Sequence, residues 1–361
     1  MDPLARAAGL RLERARASAQ WSDGVFRNPL SPRMPSPSGG TLGEFLFKRG
    51  RRVPDVQLPV ERPHEAWARP VESGFRATWL GHSTVLLELD GRRVLTDPVF
   101  AERIGPFGFV GPRRFHVTPA AVKELPPLDA ILLSHDHFDH LCASTIAELA
   151  RTGVPIVTAL GVGAHLVGAG FDPSLVTELD WHESVELGGL RFTATPAQHF
   201  SGRGLFGRNK TLWASWVVQS ERRKVFFSGD TGLFPAMKDI GDKLGPFDLT
   251  MIETGQYHQA WPDWHIGPEQ AVTAHRLLKG KVMLPMHWGL LRLAYHGWTE
   301  PAERVLVAAE HDKVRVVTPK PGQSFEPESA PPPARWWPEV AWKSGAEDPI
   351  VSSQVPKSLL Q

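Results

Sequence analysis

The stretch Asp129-Ala-Ile-Leu-Leu-Ser-His-Asp-His-Phe-Asp-His140 decides how this chain is read. Residues 130–134 are apolar and end in serine, the pattern of a buried β-strand. Directly after them His135, His137, Asp139 and His140, four side chains able to ligate a metal, fall within six positions. A helix is predicted over 143–151, so the cluster lies on the loop that leaves a strand, where α/β folds present functional groups. Neutral imidazoles with a carboxylate suit Zn²⁺ or a similar divalent ion.

Further along the chain, three more apolar segments end in a ligand-type residue. Arg191-Phe-Thr-Ala-Thr195 leads to His199, Lys224-Val-Phe-Phe-Ser-Gly229 to Asp230, and Lys281-Val-Met-Leu-Pro-Met286 to His287. Gly229 and Gly232 flank Asp230 and allow a tight turn. Strands are predicted at 75–79, 84–89, 93–96, 130–134, 155–158, 191–195, 213–219, 224–228, 249–253, 281–285 and 314–318. Helices are predicted at 143–151, 162–169, 235–243, 268–279 and 301–311. Hairpins followed by alternating strands and helices indicate a layered α/β domain. We divide the chain into an irregular extension over 1–60, with a basic helix near 3–19, a layered α/β domain over 61–325, and a Pro- and Trp-rich tail over 326–361. The extension reads as solvated, and the tail as an aromatic strap or a mobile end.

The chain order of these ligand types resembles the metallo-β-lactamase superfamily, whose fold is a four-layer αββα sandwich. The resemblance implies one metal held by His135, His137 and His199, a second held by Asp139, His140 and His287, and Asp230 bridging the two. It also implies that Asp97, in Leu95-Thr-Asp97-Pro98, orients a ligand imidazole from behind. Trp79-Leu-Gly-His-Ser-Thr-Val85, Gly111-Pro-Arg-Arg-Phe115, Gly245-Pro-Phe-Asp-Leu249, Gly229-Asp-Thr-Gly232 and His287-Trp-Gly289 narrow the likeness. They resemble the N-acyl-phosphatidylethanolamine phospholipase D branch, a group of zinc phosphodiesterases.

The implied chemistry is hydrolysis by two Zn²⁺ ions, or another divalent metal such as Mn or Fe, through a bridging hydroxide. Asp139, Asp230 and His265 are the expected catalytic groups. His265, in Asp263-Trp264-His265, stands where the branch has a functional histidine and is the candidate acid for a leaving alkoxide. The branch leads us to expect a polar residue where Trp264 stands. Tyr257, His258 and Trp264 are candidate substrate contacts, and Trp261, Trp264, Trp288 and Trp298 are candidate walls of an apolar pocket. His82 reads as a structural or supporting residue, His275 as a helix-face residue, and Cys142 as a small buried apolar residue. Two other readings stay open. One is a lactone, amide or β-lactam hydrolase. The other is a redox di-iron protein, disfavoured because that group resembles His-x-Glu-x-Asp-His whereas this chain has His137.

Composition bounds these readings. The 361 residues are 42% hydrophobic and 22% charged, enough for a sizeable core. Residues 1–60 carry ten basic and five acidic side chains, and the remainder carries 30 and 34. That acidic balance argues against a nucleic-acid partner. The partner expected is a small-molecule or lipid phosphodiester, with a homodimer and peripheral membrane contact compatible with the chain. One cysteine excludes a disulfide framework within the monomer. No apolar window of membrane-span length or signal-peptide h-region occurs, so a cytoplasmic location is expected, with membrane association compatible with it.

Overall fold

The computed structural model describes residues 10–33, 52–106, 110–204, 207–353 and 355. Its helices are α1 (Leu10–Ala17), α2 (His64–Ala68), α3 (Ala143–Leu149), α4 (Gly163–Gly168), α5 (Ala236–Leu244), α6 (Pro268–Leu277) and α7 (Glu300–Asp312). The strands are β1 (Trp21–Ser22), β2 (Val25–Phe26), β3 (Phe75–Gly81), β4 (Thr84–Leu89), β5 (Arg92–Thr96), β6 (Ala130–Leu133), β7 (Ile156–Ala159) and β8 (Val176–Leu179). They continue as β9 (Ser184–Leu187), β10 (Leu190–Thr195), β11 (Ser215–Gln219), β12 (Lys224–Phe227), β13 (Phe247–Glu253), β14 (Gly280–Met286) and β15 (Ser324–Phe325).

Strands such as β4 (TVLLEL) and β6 (AILL) are buried at every position. Side chains on both faces of such a strand find cover, which is why it reads as a continuous apolar run rather than an alternation. One sheet has seven strands in the order β15-β3-β4-β5-β6-β7-β8, and the other six in the order β14-β13-β12-β11-β10-β9. The pairs β5–β6, β6–β7, β12–β13 and β13–β14 are parallel. Their carboxyl ends therefore emerge together, and ligands in open α/β sheets collect there. Helix α6 packs on β13 and β14 and carries α5 and α7 with it. Helices outside two facing sheets make the αββα sandwich.

The predicted strands and helices correspond to observed elements, with one exception. Only Val316 of the predicted strand 314–318 pairs, as an isolated parallel bridge to Met283. The missed strands β8 (VTEL) and β9 (SVEL) lie at the outer edges of their sheets. Edge strands tolerate charge and brevity, so their sequence carries little strand signal.

Over its described part the N-terminal segment is exposed along much of its length but anchored to the domain at particular residues. Ala15 of α1 is fully buried, Arg11 pairs with Glu178 at 3.1 Å, and Arg14 donates to the Glu178 carbonyl at 2.7 Å. Residues 3–9 of the predicted basic helix lie outside the described residues. The tail is a strap: Trp336 stacks on Trp288 at 5.6 Å, Trp288 on Trp79 at 5.7 Å, and Trp337 donates to Glu303 at 2.8 Å. Each such ring pair adds roughly 0.5–1.5 kcal/mol beyond the area it buries.

Candidate metal centre

All seven predicted ligands converge at the strand ends. The loop after β6 turns so that His135 and His137 face one way and Asp139 and His140 the other. His135 Nε2 lies 2.8 Å from His137 Nδ1, which is 3.2 Å from His199 Nε2. His140 Nε2 lies 3.1 Å from His287 Nε2, which is 3.3 Å from Asp139 Oδ2. Asp230 stands between the two groups. Its Oδ2 is 3.8 Å from His135 Nε2 and 3.7 Å from His199 Nε2, and its Oδ1 is 3.1 Å from Nε2 of both His140 and His287. The side chains that the resemblance paired thus lie together in two groups, with Asp230 between them.

Asp136, between the two first histidines, points elsewhere. Its carboxylate accepts from Gly202 N–H at 2.8 Å and Thr211 Oγ1 at 3.0 Å, tying the ligand loop to the 200–211 segment. Gly229 has φ +54°, and a Cβ there would lie 2.7 Å from Ser134 Cβ. Only glycine lets the Asp230 turn approach the first ligand loop this closely.

The tautomers are set from behind. Ser134 Oγ donates to Asp97 Oδ2 at 2.6 Å, which leaves its lone pair for His135 Nδ1–H at 2.9 Å. His140 Nδ1–H donates to Asp97 Oδ2 at 2.6 Å, and His199 Nδ1–H to the Trp264 carbonyl at 2.8 Å. Each proton is thus placed on Nδ1, and the Nε2 lone pair faces inward. Asp230 Oδ1 and His287 Nδ1 are buried without a hydrogen-bond partner. Converging lone pairs around a partly unsatisfied carboxylate fit divalent cations.

Charge agrees with this fit. Burial holds His135 and His199 well below the usual imidazole range, so both imidazoles are neutral. Burial also lowers His287, but Asp230 and Asp139 outweigh it and push it up to about 10. The same carboxylates outweigh burial at His140 and raise it well above its ordinary value. A pocket that draws protons onto imidazoles this strongly is one whose negative charge a dication neutralises, releasing those protons. His82, Asp97 and His287 all adopt positive φ, of +54°, +31° and +68°. Such backbone is rare outside glycine and gathers at functional sites.

Two supporting groups emerge. Asp97, fully buried, also accepts Ser134 N–H at 2.7 Å and so orders the start of the ligand loop. Glu253, at the end of β13, has no counterpart in the sequence reading. It is fully buried, accepts from His265 Nδ1 at 2.7 Å, and lies 3.7 Å from His287 Nδ1. Burial alone would lower His265, but the charges of Glu253 and Asp230 reverse this and raise it above an ordinary histidine. His82 serves Asp139: its Nε2 lies 3.0 Å from Asp139 Oδ2.

A cavity of about 250 Å³ opens onto the centre. Its lining includes His137, Asp139, Asp230, His265 and His287, with Phe200, Trp261, Trp264 and Leu293 as apolar walls. Arg208 lies over both Phe200 and Trp264, 4.6 and 4.8 Å from their ring centres. Trp264 is therefore a wall, as expected, but three other expectations fail. Tyr257 is 1% exposed and donates to Glu300 at 2.8 Å, so it is committed to the core. His258 packs on Trp261 and Tyr295 outside the lining. Trp288 and Trp298 are buried away from the cavity, Trp288 within the tryptophan stack. His275 lies on helix α6, as expected, on the face that packs inward, with Thr250 at 2.7 Å. Cys142 is buried in a small apolar cluster with Val99 and Leu290, as expected.

The family described as a β-lactamase superfamily domain matches residues 92–288. An uncharacterized protein of Mycobacterium tuberculosis is 43% identical over 298 residues, covering 81% of this chain and 79% of that one. The N-acyl-phosphatidylethanolamine-hydrolyzing phospholipase D 1 of Caenorhabditis elegans is 41% identical over 253 residues, covering 66% and 70%. A metallo hydrolase from the archaeon Ignicoccus hospitalis superposes with a TM-score of 0.53 at 21% identity, covering 70% of this chain and 98% of that one.

Proposed function

This chain belongs to the metallo-β-lactamase superfamily as a metal-dependent hydrolase, and we propose that it is a phosphodiesterase of phospholipase D type. Its substrate would be an N-acyl-phosphatidylethanolamine-like lipid or a related phosphodiester. The observation that carries the reading is His265, a histidine with raised proton affinity lining the same cavity as the bridging Asp230. The likeness to the Caenorhabditis elegans enzyme supports the substrate class.

His135, His137 and His199 would hold one cation, Asp139, His140 and His287 the other, with Asp230 shared. Divalent cations held there would lower the pKa of water toward neutrality and would screen charge growing on phosphoryl oxygens. The chain's own residues do the rest. Hydrolysis joins the oxygen of water to phosphorus and breaks the bond to the leaving alkoxide, which needs a proton. Glu253 occupies Nδ1 of His265, so Nε2 is the nitrogen left to donate that proton. Asp139, held by His82, can accept a proton from the attacking water. The walls Phe200, Trp261, Trp264 and Leu293 suit an acyl chain and exclude water. Arg208 at the aromatic pair supplies a positive charge that suits an anionic lipid.

The test is metal analysis of the purified chain coupled to a panel of bis-(p-nitrophenyl) phosphate, N-acyl-phosphatidylethanolamine, a lactone and a chromogenic cephalosporin. Phosphodiester turnover that is lost on chelation and restored by Zn²⁺ is expected. Turnover of the lactone or cephalosporin with none of either phosphodiester would overturn the reading.

A further inference from the structure

The motif Gly111-Pro-Arg-Arg-Phe115 supplies nothing to the metal centre, yet it builds a second concave surface. Residues 102–104 and 112–115 form an irregular antiparallel ribbon. Arg103 and Arg113 are bridge partners, Ile104 N–H donates to the Pro112 carbonyl at 3.0 Å, and Arg114 N–H to the Glu102 carbonyl at 3.0 Å. The ribbon borders a cleft of about 990 Å³ lined by Arg103, Arg113, Arg114 and His116, with Arg292 from a neighbouring segment. Glu102, paired with Arg113 at 2.7 Å, is the one carboxylate among the described lining residues, against four guanidinium groups. Like charges opposed on an antiparallel pair repel each other unless something negative lies between them.

Arg114 is the most telling member. It is 8% exposed, donates through Nε to the His116 carbonyl at 2.9 Å and through Nη1 to Thr118 at 3.3 Å, and its Nη2 has no partner. Its hydrogen bonds go to neutral oxygens, so no carboxylate balances the buried charge, and burial pulls its pKa down to about 10. His116 Nε2, in the same lining, is also buried without a partner. Beyond residue 60 the chain is net acidic, so this concentration of positive charge is local.

We propose that this cleft is an oxyanion site, separate from the metal centre, that takes the phosphate group of a ligand through the paired guanidinium groups of Arg103, Arg113 and Arg114. The proposal stands apart from the reading of the metal centre. The two cavities share a wall: Phe115 N–H donates to the Leu290 carbonyl at 2.8 Å, Arg292 lines the cleft, and Leu293 lines the metal cavity. Val53 and Val117 in the cleft lining are 46% and 63% exposed, so either a lipid headgroup or a free phosphate could supply the anion.

The test uses the metal-loaded full chain. Inorganic phosphate is titrated by calorimetry into wild type, Arg103→Gln, and the Arg103→Gln/Arg113→Gln double variant. Vesicles of phosphatidylcholine with and without phosphatidic acid are co-sedimented with the same proteins. One phosphate-binding event should weaken about tenfold in the single variant and vanish in the double, with turnover unchanged. Phosphatidic-acid binding lost in the double variant assigns a lipid headgroup, and a response to inorganic phosphate alone assigns a free anion. If wild type binds neither probe, or the double variant binds as wild type does, the proposal is overturned. Arg103 and Arg113 lie toward the surface, and matching unfolding curves exclude misfolding. Arg114→Lys, which keeps the charge but loses the fork, should weaken the same event.

Discussion

The two sheets serve the centre in opposite ways. The seven-stranded sheet delivers His135, His137, Asp139 and His140 from one loop after β6, whereas the six-stranded sheet delivers His199, Asp230 and His287 from three separate strand ends. Each sheet also places one buried carboxylate behind its groups. Asp97 follows β5 and orients His140 and Ser134, and Glu253 ends β13 and orients His265. The first sheet thus makes a prefabricated half-site, while the second makes a half-site that exists only when its strands are in register. A disturbance of the first sheet's loop should be local, and one in the second sheet should travel through strand pairing.

The severest way to break this contrast is Asp230→Asn, which removes the group shared by both halves. Turnover should fall on the order of 10⁴-fold, with both metal equivalents reduced in elemental analysis. His265→Ala should cost less, about 10²–10⁴-fold in kcat, with metal content retained. Full activity in that variant would remove the acid role.

Third comes a pH test of the second sheet. Burial lowers His275 to about 4 from 6.5, and its Thr250 partner belongs to β13. The unfolded chain therefore takes up this proton first as pH falls, so stability is full above pH 6.5 and is lost toward about 4. The loss should approach 3 kcal/mol, about 10²-fold in the folding equilibrium. Denaturant unfolding of His275→Gln should show a shallower decline over this window; parallel curves would count against it. The smallest effects should come from the supporting carboxylates, about 10–100-fold each. Asp97→Asn should weaken metal affinity, read by competition with a chelator. Glu253→Gln should lower kcat with metal still bound. Indistinguishable profiles would erase the distinction between the halves.

The same contrast explains what could be read from the chain. Four ligands in six positions are legible because chance rarely assembles them. His199, Asp230 and His287 were legible because each follows an apolar strand. Glu253 also closes an apolar strand, Phe247–Glu253, but that mark alone does not say which histidine its carboxylate backs; the packing of β13 beside β12 and β14 gives it that role. Tyr257 and His258 misled for a related reason. Their loop reaches the centre, but Tyr257 turns inward to Glu300, a partner 43 positions away that no local pattern announces. The Trp288 ring is placed in the same non-local way, since its stacking partners come from β3 and the tail.

Asp263, next to Trp264 and His265, is held from both extremities of the polypeptide. Arg33 N–H donates to its Oδ2 at 2.7 Å, while Ser353 donates its N–H to Oδ1 at 2.8 Å and its hydroxyl to Oδ2 at 2.6 Å. Asn28 adds bonds to both the carbonyl and N–H of His199, at 2.7 and 2.9 Å. Head and tail are thus guy-ropes for the loop that carries His265. An expression fragment trimmed to 61–325 would keep all seven converging side chains and still leave that loop slack.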